Sequence, residues 1–238
     1  MNDELGKRIK DQYESRSRTF LPRRTYTILR LDGKSFHQFC KHLIKPFDVD
    51  FISDMNETTL YLCKQIQGCK MGYVQSDEIS LLLTDFEKIT TDAWFDGNVQ
   101  KMVSVSASYA TSKFNQLRFL RSRIKIMDMK LAEFDSRAFT IPDPTEVENY
   151  FVWRQKDCMR NSISMVAQSN FSHKELQNKS TNEMQEMLFQ KKGINWNNTD
   201  DGQKRGRLIV KEDEWKITNS FDFLKEREKL TNLIPKIS

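Results

Sequence analysis

Hydrophobic positions along this chain alternate between helical spacing and short unbroken apolar runs, and each change of pattern marks an element. Leu5, Ile9 and Tyr13 recur at helical spacing in the polar stretch 1–20, which predicts a short amphipathic helix. Thr25 to Leu31 is β-branched and aliphatic, a strand that ends at Asp32-Gly33. A helix capped by Ser35 is expected to run to about His42, where Pro46 stops it. Phe51, Met55, Leu60 and Leu62 place a longer helix over 51–66. Two apolar runs follow, Met71–Val74 and Ile79–Leu83, joined by the polar link Gln75-Ser76-Asp77-Glu78 in the manner of a tight hairpin.

Val99, Val103, Ala107, Ala110 and Phe114 line one face of a helix over 97–114, and Phe134–Ile141 reads as a strand ended by Pro142 and Pro144. Helices are expected over 145–168 and 172–190, then a Gly/Asn/Asp-rich loop at 193–203 and a strand at Arg207–Val210. The charged C-terminal tail is expected to be partly helical. Strand, helix, strand, strand, helix, strand over 1–141 is the βαββαβ order of an α+β ferredoxin-like palm, an antiparallel sheet with helices on one face. Residues 1–141 form the expected catalytic core. Residues 142–238 form a mainly helical extension packed on it as one structural unit.

The 238 residues are long enough for a sizeable core, and 16 Phe and 4 Trp argue against general disorder. An excess of 38 Lys+Arg over 33 Asp+Glu permits a polyanionic partner without demanding one. No stretch has the ~20 apolar residues of a membrane helix, and the N-terminus lacks the apolar core of a signal peptide. The expected setting is cytoplasmic. Cys40, Cys63, Cys69 and Cys158 lack CxxC spacing and read as reduced thiols. With three His in all, the group His37, Cys40, His42 reads as a polar helix face and not as a zinc site.

The acids carry the chemistry. Asp32 ends the first strand, and Asp77 and Glu78 lie in the hairpin of the second and third. A ferredoxin-like sheet sets its first and third strands side by side, so these carboxylates converge at one end. Clustered carboxylates repel unless a cation neutralises them, and magnesium suits a few carboxylates that share it with substrate phosphates. Two such ions can serve the attacking and leaving oxygens. Gly33 would let backbone approach a metal or triphosphate. Taken singly, Asp-Gly is a turn and Gln-Ser-Asp-Glu a solvated hairpin; it is their coincidence at one sheet end that points to a metal site. Arg30, Lys34 and Lys45 flank the first motif. Further basic runs are Lys113, Arg118, Arg121, Arg123, Lys125, Lys130 and then Lys204, Arg205, Arg207. Such runs become a nucleic-acid track only if they share a face.

In order along the chain, Arg-Leu-Asp-Gly-Lys-Ser-Phe-His (30–37), Lys-Pro-Phe-Asp (45–48), Gln-Ser-Asp-Glu (75–78) and Trp-Arg-Gln-Lys-Asp-Cys (153–158) resemble the tRNA-histidine guanylyltransferase family. Glu186–Phe189, Gly-Ile-Asn-Trp-Asn (193–197) and Lys-Arg-Gly (204–206) continue the resemblance to about residue 210 and leave only the tail outside it. It implies a palm that adds nucleotides to the 5′ end of tRNA. Asp32, Asp77 and the Gly33 carbonyl would hold two magnesium ions, with Glu78 supporting them. Asp32, Gly33, Lys34, Ser35, Phe36, His37 and Ser76 would cradle a triphosphate. Lys45 and Asp48 stand where the family places residues used in activation, and ATP, GTP and other nucleoside triphosphates would be substrates.

Eukaryotic members carry His-Ile-Asn-Asn-Leu-Tyr-Asn after Asp-Cys. Here the chain reads Met159-Arg160-Asn161-Ser162-Ile163-Ser164, which resembles the bacterial and archaeal guanylyltransferase-like branch, associated with templated repair of 5′-truncated tRNAs. Asn161 then becomes a triphosphate or RNA contact, and Arg30, Arg160, Lys204 and Arg205 phosphate contacts. The family's tetramers imply a homotetramer. The alternatives are untemplated guanylation of histidine tRNA, a palm-type nucleotide cyclase, which would need no RNA, and a catalytically silent RNA-binding sheet, which would present exposed aromatics.

Overall fold

The computed structural model describes residues 3–121 and 130–237. Its centre is one antiparallel sheet with strand order β4-β1-β3-β2-β5-β6, formed by Tyr26–Gly33 (β1), Cys69–Gln75 (β2), Glu78–Leu83 (β3), Phe134–Ile141 (β4), Arg207–Lys211 (β5) and Trp215–Thr218 (β6). The first four strands make the ferredoxin-like palm, with β1 and β3 adjacent at its centre. β6 and a helix over Arg227–Leu233 share the tail expected to be partly helical.

The two palm helices lie on one face. Val49–Gln65 (α3) and Val99–Arg121 (α4) follow Glu4–Gln12 (α1) and the short Phe36–Phe39 (α2), and α3 and α4 pack against Leu29, Leu31, Val74, Ile79 and Leu81. The C-terminal extension covers the opposite face. Pro144–Gln168 (α5) brings Val147, Tyr150 and Phe151 against Tyr26, Ile28, Tyr73 and Leu82. All six residues of β3 are therefore buried, which is why Glu78–Leu83 reads as a run and not as an alternation.

The tail completes this second core. Phe223, Leu230 and Ile234 are buried in it, Gln155 Oε1 accepts from the Phe223 N–H at 2.8 Å, and the Tyr26 hydroxyl donates to the Pro235 carbonyl at 2.7 Å. A third cluster joins the end of α5 to Thr181–Lys192 (α7, after the short His173–Leu176, α6) and reaches Phe47. Caps fix the helix starts: Asp48 for α3, Asp143 with Pro144 for α5, and a Ser180–Glu183 capping box for α7. α1 buries nothing.

Candidate active site at the palm edge

Strand pleating decides which side chains meet. Ile28, Arg30 and Asp32 point to the α5 face, opposite Leu82, Ser80 and Glu78 of β3 and Phe139, Arg137 and Asp135 of β4. Gln75 pairs with Glu78 across a turn made of Ser76 and Asp77 alone. Asp32, Asp77 and Glu78 thus share one end of the sheet, as the strand order requires.

Their charges are handled differently. Glu78 is buried and saturated: Arg154 of α5 donates to both its oxygens at 2.7 Å, and Arg30 lies 2.6 Å away. Asp32 and Asp77 make no ion pair among the described residues. Burial raises the Asp32 carboxyl and the Glu78 charge adds to it, with Arg30 opposing. Burial also pushes Asp77 up to about 6; its own backbone N–H opposes this, and the Asp32 charge reinforces it. Two carboxylates without an ion-pair partner among the described residues thus stand at one end of the sheet.

No three His, Cys, Asp or Glu side chains form a ready cage among the described residues. A two-carboxylate site fits magnesium nonetheless, because that ion keeps several waters and takes one or two carboxylates plus substrate phosphates.

Segment 33–39 is fixed from below. Phe36 is buried against Phe134, Phe39 and Phe114 at ring separations of 5.0, 5.1 and 5.7 Å. A Cβ on Gly33 would stand 2.3 Å from that ring, so glycine is required for Phe36 to tuck beneath the turn. This differs from close approach to a ligand as the reason for Gly33, and it leaves Phe36 only its backbone to offer. Ser35 and Ser76 are both left-handed, with φ of 56° and 44°, strain of the sort that collects at functional sites. Lys34 is exposed, but its ammonium pairs with Glu133 at 2.6 Å and its N–H is donated to the Glu133 carbonyl. His37 is exposed.

Ser76, Asp48 and Asn161 line one cleft, together with Phe47, Phe51 and Gln75. Asp48 spends both oxygens on backbone, accepting from Phe51 N–H at 2.8 Å and Ile44 N–H at 3.0 Å. The Lys45 ammonium donates to the Cys40 carbonyl at 3.0 Å. The Cys40 thiol is pushed up to about 11 by burial, then by the charge of Asp77, with Lys45 opposing.

Most of the remaining basic candidates have partners within the chain. Lys204 is buried and donates to the Asn197 carbonyl at 2.7 Å, and Arg205 lies between Asp201 and Asp222. Arg207 is buried and donates to Asn56. Arg118 and Arg121 both clasp the fully buried Asp54, at 3.0 and 2.5 Å, while Arg123 and Lys125 lie outside the described residues. Arg160 is exposed and pairs with Asp157 at 2.6 Å. Sequence reasoning gave Arg154 no role, although its i,i+3 spacing to Asp157 on α5 was readable; its pairing with Glu78 has no local signature.

The family model for tRNAHis guanylyltransferase matches residues 6–142, and that for the Thg1 C terminal domain matches residues 145–233, so the likeness runs well past residue 210 into the tail. A bacterial tRNA(His) guanylyltransferase-like protein solved in complex with ATP is similar at 44% identity and a TM-score of 0.91, over 99% of this chain and 100% of that one. Another, solved with GTP, is similar at 41% and 0.82, over 97% and 99%. The tRNA(His) guanylyltransferase of Debaryomyces hansenii is 31% identical over 88% of this chain and 81% of its own length.

Proposed function

The chain belongs to the tRNAHis guanylyltransferase family, whose members are nucleotidyltransferases, and from that premise we propose that it repairs the 5′ ends of tRNAs by templated 3′-to-5′ addition. In this reading a 5′-monophosphate oxygen attacks the α-phosphate of ATP and pyrophosphate leaves. The 3′-hydroxyl of an incoming nucleotide then attacks the activated 5′ phosphorus and AMP leaves. Both are in-line transfers, in which positioning and charge neutralisation supply most of the catalysis.

The observation that carries this reading is the pair Asp32 and Asp77, two carboxylates at one end of the sheet that make no ion pair among the described residues, beside a Glu78 that two arginines have already neutralised. Asp32, Asp77 and the Gly33 carbonyl would hold two magnesium ions, which when bound supply neutralisation of charge on the attacking and leaving oxygens. The chain's own residues do the rest. Arg154 and Arg30 keep Glu78 out of the ligand set. Segment 32–37 with Ser76 borders the triphosphate, the cleft at Asp48 and Asn161 takes the nucleotide, and Lys45 serves the activation step. The ATP and GTP complexes of the bacterial relatives support nucleoside triphosphates as substrates. The Arg160-Asn161-Ser162 sequence supports templated repair over obligatory guanylation. By the same resemblance the enzyme is a homotetramer, and its reduced cysteines suit a cytoplasmic setting.

A 5′-monophosphorylated tRNA lacking its first nucleotide, incubated with magnesium, ATP and the four nucleoside triphosphates, tests the proposal. Extension should follow the complement of the opposite strand, switch when that strand is mutated, and vanish in Asp32→Ala and Asp77→Ala. Growth by G regardless of template would establish untemplated guanylation instead. Nucleotide turnover without RNA growth would establish a cyclase-like activity.

A further inference from the structure

Trp153 stands out among the four tryptophans. Trp94 and Trp196 are buried and Trp215 is half-buried, yet Trp153 is 48% exposed. It lies one turn beyond Tyr150 on α5, where the covered face of the sheet gives way to its polar end. Phe139 packs on Tyr150 at 5.8 Å, Arg30 and Arg137 come next in register, and Asp32 and Asp135 follow. The indole is held at 6.0 Å by the edge of Tyr150, and the Arg154 and Arg30 guanidinium carbons lie 4.3 and 6.0 Å from its ring centre.

Lys156 and Arg160 recur at i+3 and i+7 from Trp153, so an aromatic ring and two cations share one exposed stripe of the helix, about 10 Å long at helical rise. Lys156 makes no ion pair among the described residues. Arg137 and Arg160 meet only exposed or half-buried carboxylates, Asp135 at 3.6 Å and Asp157 at 2.6 Å. Such surface pairs are weak and exchange readily for phosphate. An aromatic platform interleaved with cations, close to a catalytic aspartate, is the arrangement that seats a base and tracks a backbone.

We propose that Trp153 is the stacking seat for the base of the RNA's 5′-terminal nucleotide, with Arg137, Lys156 and Arg160 receiving the adjoining phosphates. The inference rests on the reading of this site as one that extends RNA 5′ ends, and adds how the end is seated. A plain alternative is that Trp153 merely covers the Arg154–Glu78 pair.

A double-mutant cycle separates them. Binding of the full chain is measured to a 5′-monophosphorylated tRNA lacking its first nucleotide, and to the same RNA made abasic at its 5′-terminal residue. Each RNA is tested against wild type, Trp153→Ala and Trp153→Phe. Removal of either the ring or the base should weaken binding about tenfold, removal of both should cost little more, and Trp153→Phe should recover most of it. Intrinsic fluorescence should be quenched by the intact RNA and much less by the abasic one, a readout that needs no protein variant. Equal weakening of both RNAs by Trp153→Ala, or equal binding of both RNAs to wild type, overturns the stacking seat. If the RNA is extended normally yet shows no coupling, the seat alone falls; if wild type binds no RNA while still binding ATP, the proposed function falls with it.

Discussion

Replacing Asp77 by Asn should make the magnesium-free protein more stable while abolishing its activity. Asn keeps the side-chain oxygen and the size of Asp77 but removes the charge. In the folded chain that charge is unfavourable: burial, with the Asp32 charge behind it, lifts the carboxyl from 3.8 to about 6, with the residue's own backbone N–H opposing. A displacement of that size corresponds to ~3 kcal/mol against the folded state once the group is ionised. The folded pKa lies above the unfolded one, so the folded chain holds the proton more tightly. The stability this gives is complete below about pH 3.8, is lost as pH rises to about 6, and is absent at pH 7.

In urea titrations with EDTA, Asp77→Asn should therefore exceed wild type by up to ~3 kcal/mol at pH 7, and the gain should shrink toward nothing at pH 4. Magnesium should raise the wild-type midpoint, because a ligand bound only by the folded state stabilises it. It should move the Asn variant far less. A variant no more stable than wild type at pH 7, or a gain indifferent to pH, would refute the argument that this carboxylate is held in place for a cation.

Three further outcomes follow from other contacts. Arg154→Met leaves the buried Glu78 with Arg30 alone and should cost ~3–5 kcal/mol in urea denaturation, most of it recovered by adding Glu78→Gln; an undamaged single variant would show that the pair is dispensable. Gly33→Ala should lower the melting temperature by several degrees, since the new Cβ meets the Phe36 ring at 2.3 Å, and Gly33→Ala with Phe36→Leu should melt higher than Gly33→Ala alone. Lys45→Ala should slow adenylylation of a 5′-monophosphorylated RNA about tenfold or more, yet spare addition to a 5′-triphosphorylated one; equal losses would remove Lys45 from the activation step.

The palm was legible because its elements are local. The runs Thr25–Leu31, Ile79–Leu83 and Phe134–Ile141 are strands, and their order with the intervening helices leaves few topologies. The carboxylate pair was legible for the same reason, since strand order alone brings Asp32 beside the hairpin. The tail was not. Phe223, Leu230 and Ile234 are few among charged residues, yet each is buried against α5 or the sheet. The partners of the basic runs were not legible either, because they are set by the fold: Asp54 sits on α3, far along the chain from the arginines of α4 that clasp it, and no spacing rule spans that separation.

Asp77 and Glu78 show how far adjacency in sequence is from equivalence in chemistry. The turn consists of Ser76 and Asp77 alone, so Glu78 already belongs to β3, and its side chain shares a face with Asp32 and Arg30. α5 crosses that face and delivers Arg154 to it, so Glu78 is neutralised from within. Asp77 lies one residue earlier, in the turn, and pairs with no arginine among the described residues. The helix that covers the second face of the sheet thus reduces three acids to two, and those two keep a negative charge that the described part of the chain does not itself cancel. Without α5, Glu78 would face Arg30 of β1 alone. With it, the charge left over is that of a pair, suited to a hard divalent cation shared with substrate phosphates. Arg154 thereby belongs to the argument for the site as much as the aspartates do.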